Sequence, residues 1–208
     1  MARPRASRAI ENAVRRRGFL HVAGVDEVGR GCLAGPVVAA AVVLHTDRYV
    51  PGVADSKVLT AAERERLFDR VRAAAVAYHV ALVSPADIDR LNIHHASLEA
   101  MRLAVLALVP APGFVLVDGF AIPGLPMSQL RVVGGDRRST AIAAASILAK
   151  VTRDRLMRDL HDRDPRYGFD RHKGYATRAH LEAVERFGYS SEHRRSFRPS
   201  SLFDTIPD

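Results

Sequence analysis

Residues 20–44, LHVAGVDEVGRGCLAGPVVAAAVVL, decide how this chain is built. LHVAGVDE (20–27) reads as a short apolar strand that ends in acid. GPVVAAAVVL (35–44) is a continuous apolar run with β-branched residues, which suits a strand buried on both faces. The connecting VGRGCLAG is glycine-rich and must turn sharply. Beyond this pair, Thr60 and Glu63 form a capping-box pattern that opens a helix to about Ala75. VAYHVALV (76–83) reads as a third strand, and Leu98, Met101, Val105 and Leu108 give helical spacing from Ile93 to about Val109. FVLVD (114–118) is another strand ending in acid, and LRVV (130–133) leads into GGD. Ser139 or Thr140 caps a long helix to about Leu160, which Asp164-Pro165 breaks. RYGFDRHKGYAT then reads as an irregular loop, and a last helix runs from Thr177 to Gly188. The order β-β-α-β-α-β-β-α-α implies an α/β sheet with helices packed on it.

Composition narrows the function classes. The 208 residues suggest one domain, 1–208, able to bury about 70% of its unfolded surface. The net charge of +8 favours a polyanionic partner. One cysteine, Cys32, gives no internal disulfide and fits a reducing, cytoplasmic setting. No apolar run approaches the roughly 18–20 residues that span a bilayer, and the basic N-terminus lacks the apolar stretch of a signal peptide. Segment 1–18 carries Arg3, Arg5, Arg8, Arg15, Arg16 and Arg17 against Glu11. It reads either as a solvated, partly frayed tail or first helix, or as a phosphate-attracting arm.

The chemistry should sit where apolar runs end in acid: Asp26-Glu27, Asp118 and Asp136. Open α/β sheets assemble their sites at strand ends. Converging carboxylates repel unless a cation lies between them, and oxygen-only ligands select Mg²⁺ or Mn²⁺. Two such ions suit phosphodiester cleavage. The sequence has no Cys/His cluster with zinc spacing, no Walker loop and no G-x-S-x-G elbow. Each acid alone reads equally as a surface charge or a helix cap. Neighbours on a strand also point to opposite faces, so Asp26 and Glu27 can share a site only if the strand bends, which Gly29 and Gly31 would permit.

GVDEVGRG (24–31) followed by LAGPVVAAAV resembles the opening motif of the ribonuclease HII family, the type 2 ribonucleases H. The resemblance recurs, in order, at DSKVLT (55–60), VLVDG (115–119), GGD (134–136), AIAAASILAKVTRD (141–154), YGFDRHKGY (167–175) and HRRSF (193–197). It implies a ribonuclease H-like mixed sheet flanked by helices, with a C-terminal helical, substrate-binding lobe at about 155–200. It implies an endoribonuclease that cuts RNA in RNA–DNA duplexes, including single ribonucleotides in DNA, 5′ to the ribonucleotide, leaving 5′-phosphate and 3′-hydroxyl ends. The family's four metal-binding acids map onto Asp26, Glu27, Asp118 and Asp136, with two Mn²⁺ or Mg²⁺ ions. Its GRG element maps onto Gly29, Arg30 and Gly31, and its junction-sensing tyrosine onto Tyr175.

Other positions stay open between two readings. Lys57 contacts a phosphate or is a solvated residue before a helix. Lys150 favours an ion pair or snorkelling stem, and Ser146 favours close helix packing over substrate contact. Lys173 and His172 are as readily exposed as phosphate-bound, His193 to Arg195 either cover phosphates on the duplex or form a solvated face, and Tyr167 and Phe169 favour packing. SLFDTIPD at the end reads as a frayed terminus or an interaction tail, and a replication-clamp contact is left open. The chain is expected to act as a monomer. Only 25 residues precede Asp26, too few for the extra N-terminal domain of the type 3 enzymes. A junction resolvase or integrase core would lack GRG and HKGY, and a silent binding protein would lack need of all four acids. Two positions depart from the commoner family pattern: Cys32 stands where Pro is frequent, and Gly134 where Lys is frequent. Gly134→Lys is expected to raise substrate affinity at moderate salt, and identical binding by both proteins across a salt titration would refute this.

Overall fold

In the computed structural model, which describes residues 6–53 and 59–197, each of the five apolar runs becomes a strand. A short helix α1 (Ala9–Arg15) precedes β1 (Val22–Val28) and β2 (Val37–Leu44). Then come α2 (Ala61–Ala74), β3 (Ala75–Val83), α3 (Pro85–Leu91), α4 (Ile93–Leu106), β4 (Phe114–Asp118) and β5 (Ser128–Val132). After a 3-10 turn (Gly135–Arg137), α5 (Thr140–Arg163) runs back across the sheet, followed by α6 (Phe169–His172) and α7 (Arg178–Phe187). The strand order is β3-β2-β1-β4-β5. β2 is antiparallel to β1 and β3, whereas β1, β4 and β5 run parallel. The sheet is therefore mixed, and the three strands bearing acids at their ends all point the same way.

Each sheet face has its own core. Ala23 and Val25 of β1, with Val115 and Val117 of β4, pack against Ala100, Met101, Ala104 and Val105 of α4. Val38, Ala40 and Val42 of β2 pack on the other face against Ile147, Leu148 and Val151 of α5 and against Leu67, Phe68 and Val71 of α2. β2 is buried along its whole length, which explains its unbroken apolar run. α5 lies so close to β1 that a Cβ added at Gly24 would stand 2.2 Å from the carbonyl carbon of Ala141. Only glycine permits that approach, which brings the N-terminal half of α5 over the end of β1.

Caps fall where side-chain chemistry places them. The Thr60 amide donates to Glu63 Oε2 at 2.7 Å, and the Glu63 amide to Thr60 Oγ1 at 3.2 Å. Ser139 rather than Thr140 caps α5, accepting from the Ile142 amide at 3.1 Å. Such a cap is worth about 1 kcal/mol. α3 is absent from the periodicity because it is short, but Ser84-Pro85 opens it by the same logic, with the Asp87 amide donating to Ser84 Oγ at 3.1 Å.

One expectation is narrowed and one corrected. The described part of the N-terminal segment is a first helix, α1, tied down rather than frayed. Glu11 is buried and accepts from Ser139 Oγ and the Ala141 amide, both at 2.8 Å, so a carboxylate sits at the positive end of α5. Arg8 and Arg15 donate to the carbonyls of Thr46, Arg48 and Leu44 and are thereby tied to the body of the protein. The stretch 166–177 is likewise not irregular throughout. It contains a 3-10 turn (Pro165–Tyr167) and α6, held by a core in which the Tyr167 and Phe169 rings stack at 5.4 Å and meet Ala34, Met157, Leu160 and Val184.

His180 and His193 are buried beside this core, and burial pushes both down to about 4 from their ordinary value near 6.5. Between those values the unfolded chain takes up protons that the folded chain refuses. Their contribution is therefore intact above pH 6.5 and is lost as pH falls towards 4, by at most about 1.4 kcal/mol per pH unit for each histidine. The melting temperature should fall through that window, and fall less for His193→Gln. Parallel curves for the two proteins would contradict this.

Candidate active site

The parallel register of β1 and β4 pairs Val25 with Val117, so Asp26 and Asp118 follow at adjacent strand ends. Val25 and Val117 face α4, and strand alternation therefore turns Asp26 and Asp118 towards α5. β5 pairs Val132 with Asp118, and the chain then turns through Gly134 and Gly135 to Asp136. The Gly135 amide donates to Asp118 Oδ1 at 2.7 Å and latches this turn to the end of β4. Asp136 is buried, as is Asp26, while Glu27 and Asp118 are half-buried.

These carboxylates act on one another. Asp26 is pushed well above the usual range by burial first, then by the charges of Glu27 and Asp118. Its compensation is a hydrogen bond from Ser146 of α5 and one from the Glu27 amide, 2.8 Å from Oδ1. Glu27 is also raised by burial, opposed by Arg30, whose Nη1 lies 3.3 Å from Glu27 Oε1. The bend that would let Asp26 and Glu27 face one site does not occur. β1 continues in register to Val28, opposite Val38, and the turn begins only at Gly29, so the two side chains leave opposite faces of the strand. Among the described residues, no three His, Cys, Asp or Glu side chains are arranged as a ready cage for a metal ion. The donor set itself is all oxygen and mutually repulsive, the character that a hard divalent cation matches.

The loop after Glu27 is held from within. Gly29 adopts φ +94, and a Cβ there would lie 2.3 Å from Arg153 Nε. Arg153 of α5 is fully buried and donates to the carbonyls of Pro36 (3.1 Å), Ala34 (3.1 Å) and Lys173 (2.9 Å). Arg194, also fully buried, donates to Gly35 O through Nε and Nη2 (3.0 and 2.8 Å) and to Arg30 O through Nη1 (2.9 Å). Backbone pairing adds to this clamp. The Leu33 amide donates to Gly174 O, the Arg194 amide to Leu33 O and the Gly35 amide to Glu192 O, each at 2.8 Å. Cys32 bridges to Tyr175. The GRG loop, Tyr175 and the HRRSF segment thus form one unit.

Gly31 is exposed with open space where a Cβ would go, Arg30 is half-buried, and Tyr175 is 44% exposed. Lys57 lies outside the described residues. Lys150 pairs with Asp154 at 2.7 Å, a structural ion pair, and Lys173 Nζ turns back to the Asp170 carbonyl. Ser146 is corrected from a packing residue to a hydrogen-bond partner of Asp26. Arg194 is corrected from a phosphate contact or solvated residue to a buried clamp, and Arg153 escapes sequence reading. Arg153 does follow Ser146 by seven residues, two helical turns, and so shares its sheet-facing stripe. Gly134 has φ +62 with open space around it, so a lysine there fits but bears a left-handed backbone costing about 1 kcal/mol.

A family model described as Ribonuclease HII matches residues 23–200. Ribonuclease HII of Bacillus cereus strain Q1 is 51% identical over 189 residues, covering 91% of this chain and 73% of that protein. The crystal structure of ribonuclease H2 from Pyrococcus horikoshii OT3 is similar with a TM-score of 0.72 and 28% identity, covering 85% of this chain and 93% of that one. RNase HII of Archaeoglobus fulgidus, in its complex with PCNA, is similar with a TM-score of 0.75 and 27% identity, covering 86% and 96%.

If the acids repel as their burial implies, removing one charge should stabilise the cation-free protein. Asp26→Asn should melt higher than wild type in chelator, by about 2–4 °C for each kcal/mol of repulsion removed. Mn²⁺ should raise the wild-type melting temperature more than that of the variant. A variant less stable than wild type in chelator would sink the argument.

Proposed function

We propose that this chain, which belongs to the ribonuclease HII family and is a type 2 ribonuclease H, cleaves RNA in RNA–DNA duplexes and also cuts at single ribonucleotides embedded in DNA. The cut is 5′ to the ribonucleotide and leaves 5′-phosphate and 3′-hydroxyl ends. The observation that carries this reading is the clamped unit of GRG loop and Tyr175 beside the paired strand ends of Asp26 and Asp118. A general phosphodiesterase needs the acids alone. A rigid backbone loop coupled to a half-exposed ring suits a nuclease that must inspect one sugar.

Asp26, Asp118 and Asp136 would hold the divalent ions, two per site, Mn²⁺ or Mg²⁺, through their carboxylates, and Glu27, whose side chain leaves the other face of β1, would complete the set partly through its backbone carbonyl. Bound there, the ions would supply water activation and charge stabilisation on the leaving oxygen. The raised Asp26, crowded by Glu27 and Asp118, fits that role, because such repulsion is relieved by bound positive charge. Ser146 orients Asp26, and Gly135 orients Asp118. Gly29, Arg30 and Gly31 approach the ribonucleotide. Backbone without side chains can lie close to a sugar, and amides can read the 2′-hydroxyl that separates RNA from DNA. Tyr175 stacks on the deoxyribose 3′ to the ribonucleotide, and Lys57 contacts a phosphate beside the cut.

The C-terminal helices carry the rest of the duplex. The protein works as a monomer in the cytoplasm. No described helix is long and apolar enough to cross a membrane. The Archaeoglobus fulgidus relative, solved with PCNA, makes a sliding clamp the partner to try first.

The test is a labelled DNA duplex with one ribonucleotide, incubated with Mg²⁺ or Mn²⁺. A single nick 5′ to the ribonucleotide, reduced by several orders of magnitude in Asp26→Asn, is the expected result. Near-wild-type turnover by that variant would overturn the acid assignment. Cleavage confined to long hybrids would remove single-ribonucleotide recognition from the reading.

A further inference from the structure

Two buried histidines connect the backbone of Tyr175 to the Ser190–His193 turn, whose His193 pairs with Ala34 just after the GRG loop. His180 Nδ1 lies 2.9 Å from the Tyr175 carbonyl, which can only accept, so Nδ1 carries the proton. Burial keeps this ring neutral, so its Nε2 is an acceptor. His193 Nε2 stands 3.0 Å away and must therefore donate to it. His193 is neutral for the same reason, which leaves Nδ1 to accept from the Ser190 amide at 3.0 Å and the Ser190 hydroxyl at 2.8 Å. Every bond in the series points the same way, from Ser190 through His193 and His180 to Tyr175. Flipping either ring would set two donors or two acceptors against each other.

The ends of this series are fixed on the site itself. Tyr175 pairs with Cys32 and His193 with Ala34, so the Tyr175 and His193 segments both pair with the stretch that follows the GRG loop and are joined to each other through the imidazoles. His172 stacks on His180 at 4.3 Å with 13° between the planes, and Phe169 meets His180 edge-on at 5.6 Å. The rings have no room to tilt. His172 is itself held, accepting from the Gly174 amide at 3.2 Å and donating to Tyr167 O at 2.7 Å.

We propose that His180 and His193 are positioning residues that set Tyr175 at a fixed distance from the GRG loop, and so determine the preference for a lone ribonucleotide followed by deoxyribose over a continuous RNA strand. The inference rests on the stacking role given to Tyr175 above. The relay touches neither substrate nor acids. It acts through the Tyr175 carbonyl, which moves with the ring that inspects the junction.

The experiment compares kcat/KM on the single-ribonucleotide duplex and on a long RNA–DNA hybrid for wild type, Tyr175→Ala, His180→Leu and His180→Asn, with melting temperatures measured alongside. His180→Leu should lower the single-to-hybrid ratio about tenfold, the equivalent of one buried hydrogen bond. His180→Asn, which keeps a donor where Nδ1 stands, should restore most of that ratio. Equal losses on both substrates that follow melting temperature would reduce the histidines to structural roles and overturn the proposal. A ratio that collapses in Tyr175→Ala but not in His180→Leu would also overturn it while leaving the Tyr175 reading intact. A ratio unmoved in Tyr175→Ala would instead defeat that underlying reading. Nitrogen-15 spectra of the wild-type protein at neutral pH decide the relay without any variant. They should show Nδ1–H on His180 and Nε2–H on His193, and the reverse tautomer on either ring refutes it.

Discussion

Two buried guanidiniums bonded only to backbone carbonyls hold the working end of this molecule together. Arg153 and Arg194 between them satisfy the carbonyls of Arg30, Ala34, Gly35, Pro36 and Lys173. A loop passing through the interior cannot pair these groups in a sheet or helix. Each one left unsatisfied would cost about 1–3 kcal/mol. Arginine is suited to the task because its rigid fork offers five donors in one plane. Burial lowers Arg194 to about 10, still far above neutral pH, so the charge persists and strengthens every bond it makes. The loop that follows the acids thus has one conformation.

That rigidity sits beside deliberate instability. Asp26 is buried and crowded by Glu27 and Asp118 at strand ends the fold cannot separate, since parallel register fixes β1 against β4. Ser146 and backbone amides relieve part of this without discharging it. The protein therefore concentrates negative potential at one edge of the sheet while the chain as a whole is basic by +8. A polyanion is drawn to the body, and a cation to the edge. Both are needed if the substrate is a nucleic acid and the reaction needs divalent metal.

The C-terminal helices bind these two regions into one device. Their small core closes over Ala34 and Met157, and Arg153 reaches from α5 into both the GRG loop and the loop that ends in Tyr175. A segment that the resemblance offers as a C-terminal helical lobe is in space the outer wall of the site. Its histidines, neutral because they are buried, serve as shaped hydrogen-bonding plugs.

The sequence by itself determined the strands, most helices and the acids. Strand alternation, capping residues and glycine-rich turns are local properties, legible one segment at a time. The capping box at Thr60, the unbroken run of β2 and the acidic ends of β1 and β4 all appear in the structure where the residues put them. The roles proposed for Gly29, Arg30, Gly31 and Tyr175 come from the resemblance, and no periodicity points to them. Only the tertiary structure decided which side chains hold the site in place. Glu11, Ser146, Arg153, His180, His193 and Arg194 act on partners up to 164 residues away. A contact at such separation leaves no local pattern, because an arginine donating to buried carbonyls and one solvated at the surface are the same letter in the chain. The straight passage of β1 through Asp26 and Glu27 was likewise invisible. Whether a strand bends depends on its partner, and β2 holds it in register to Val28.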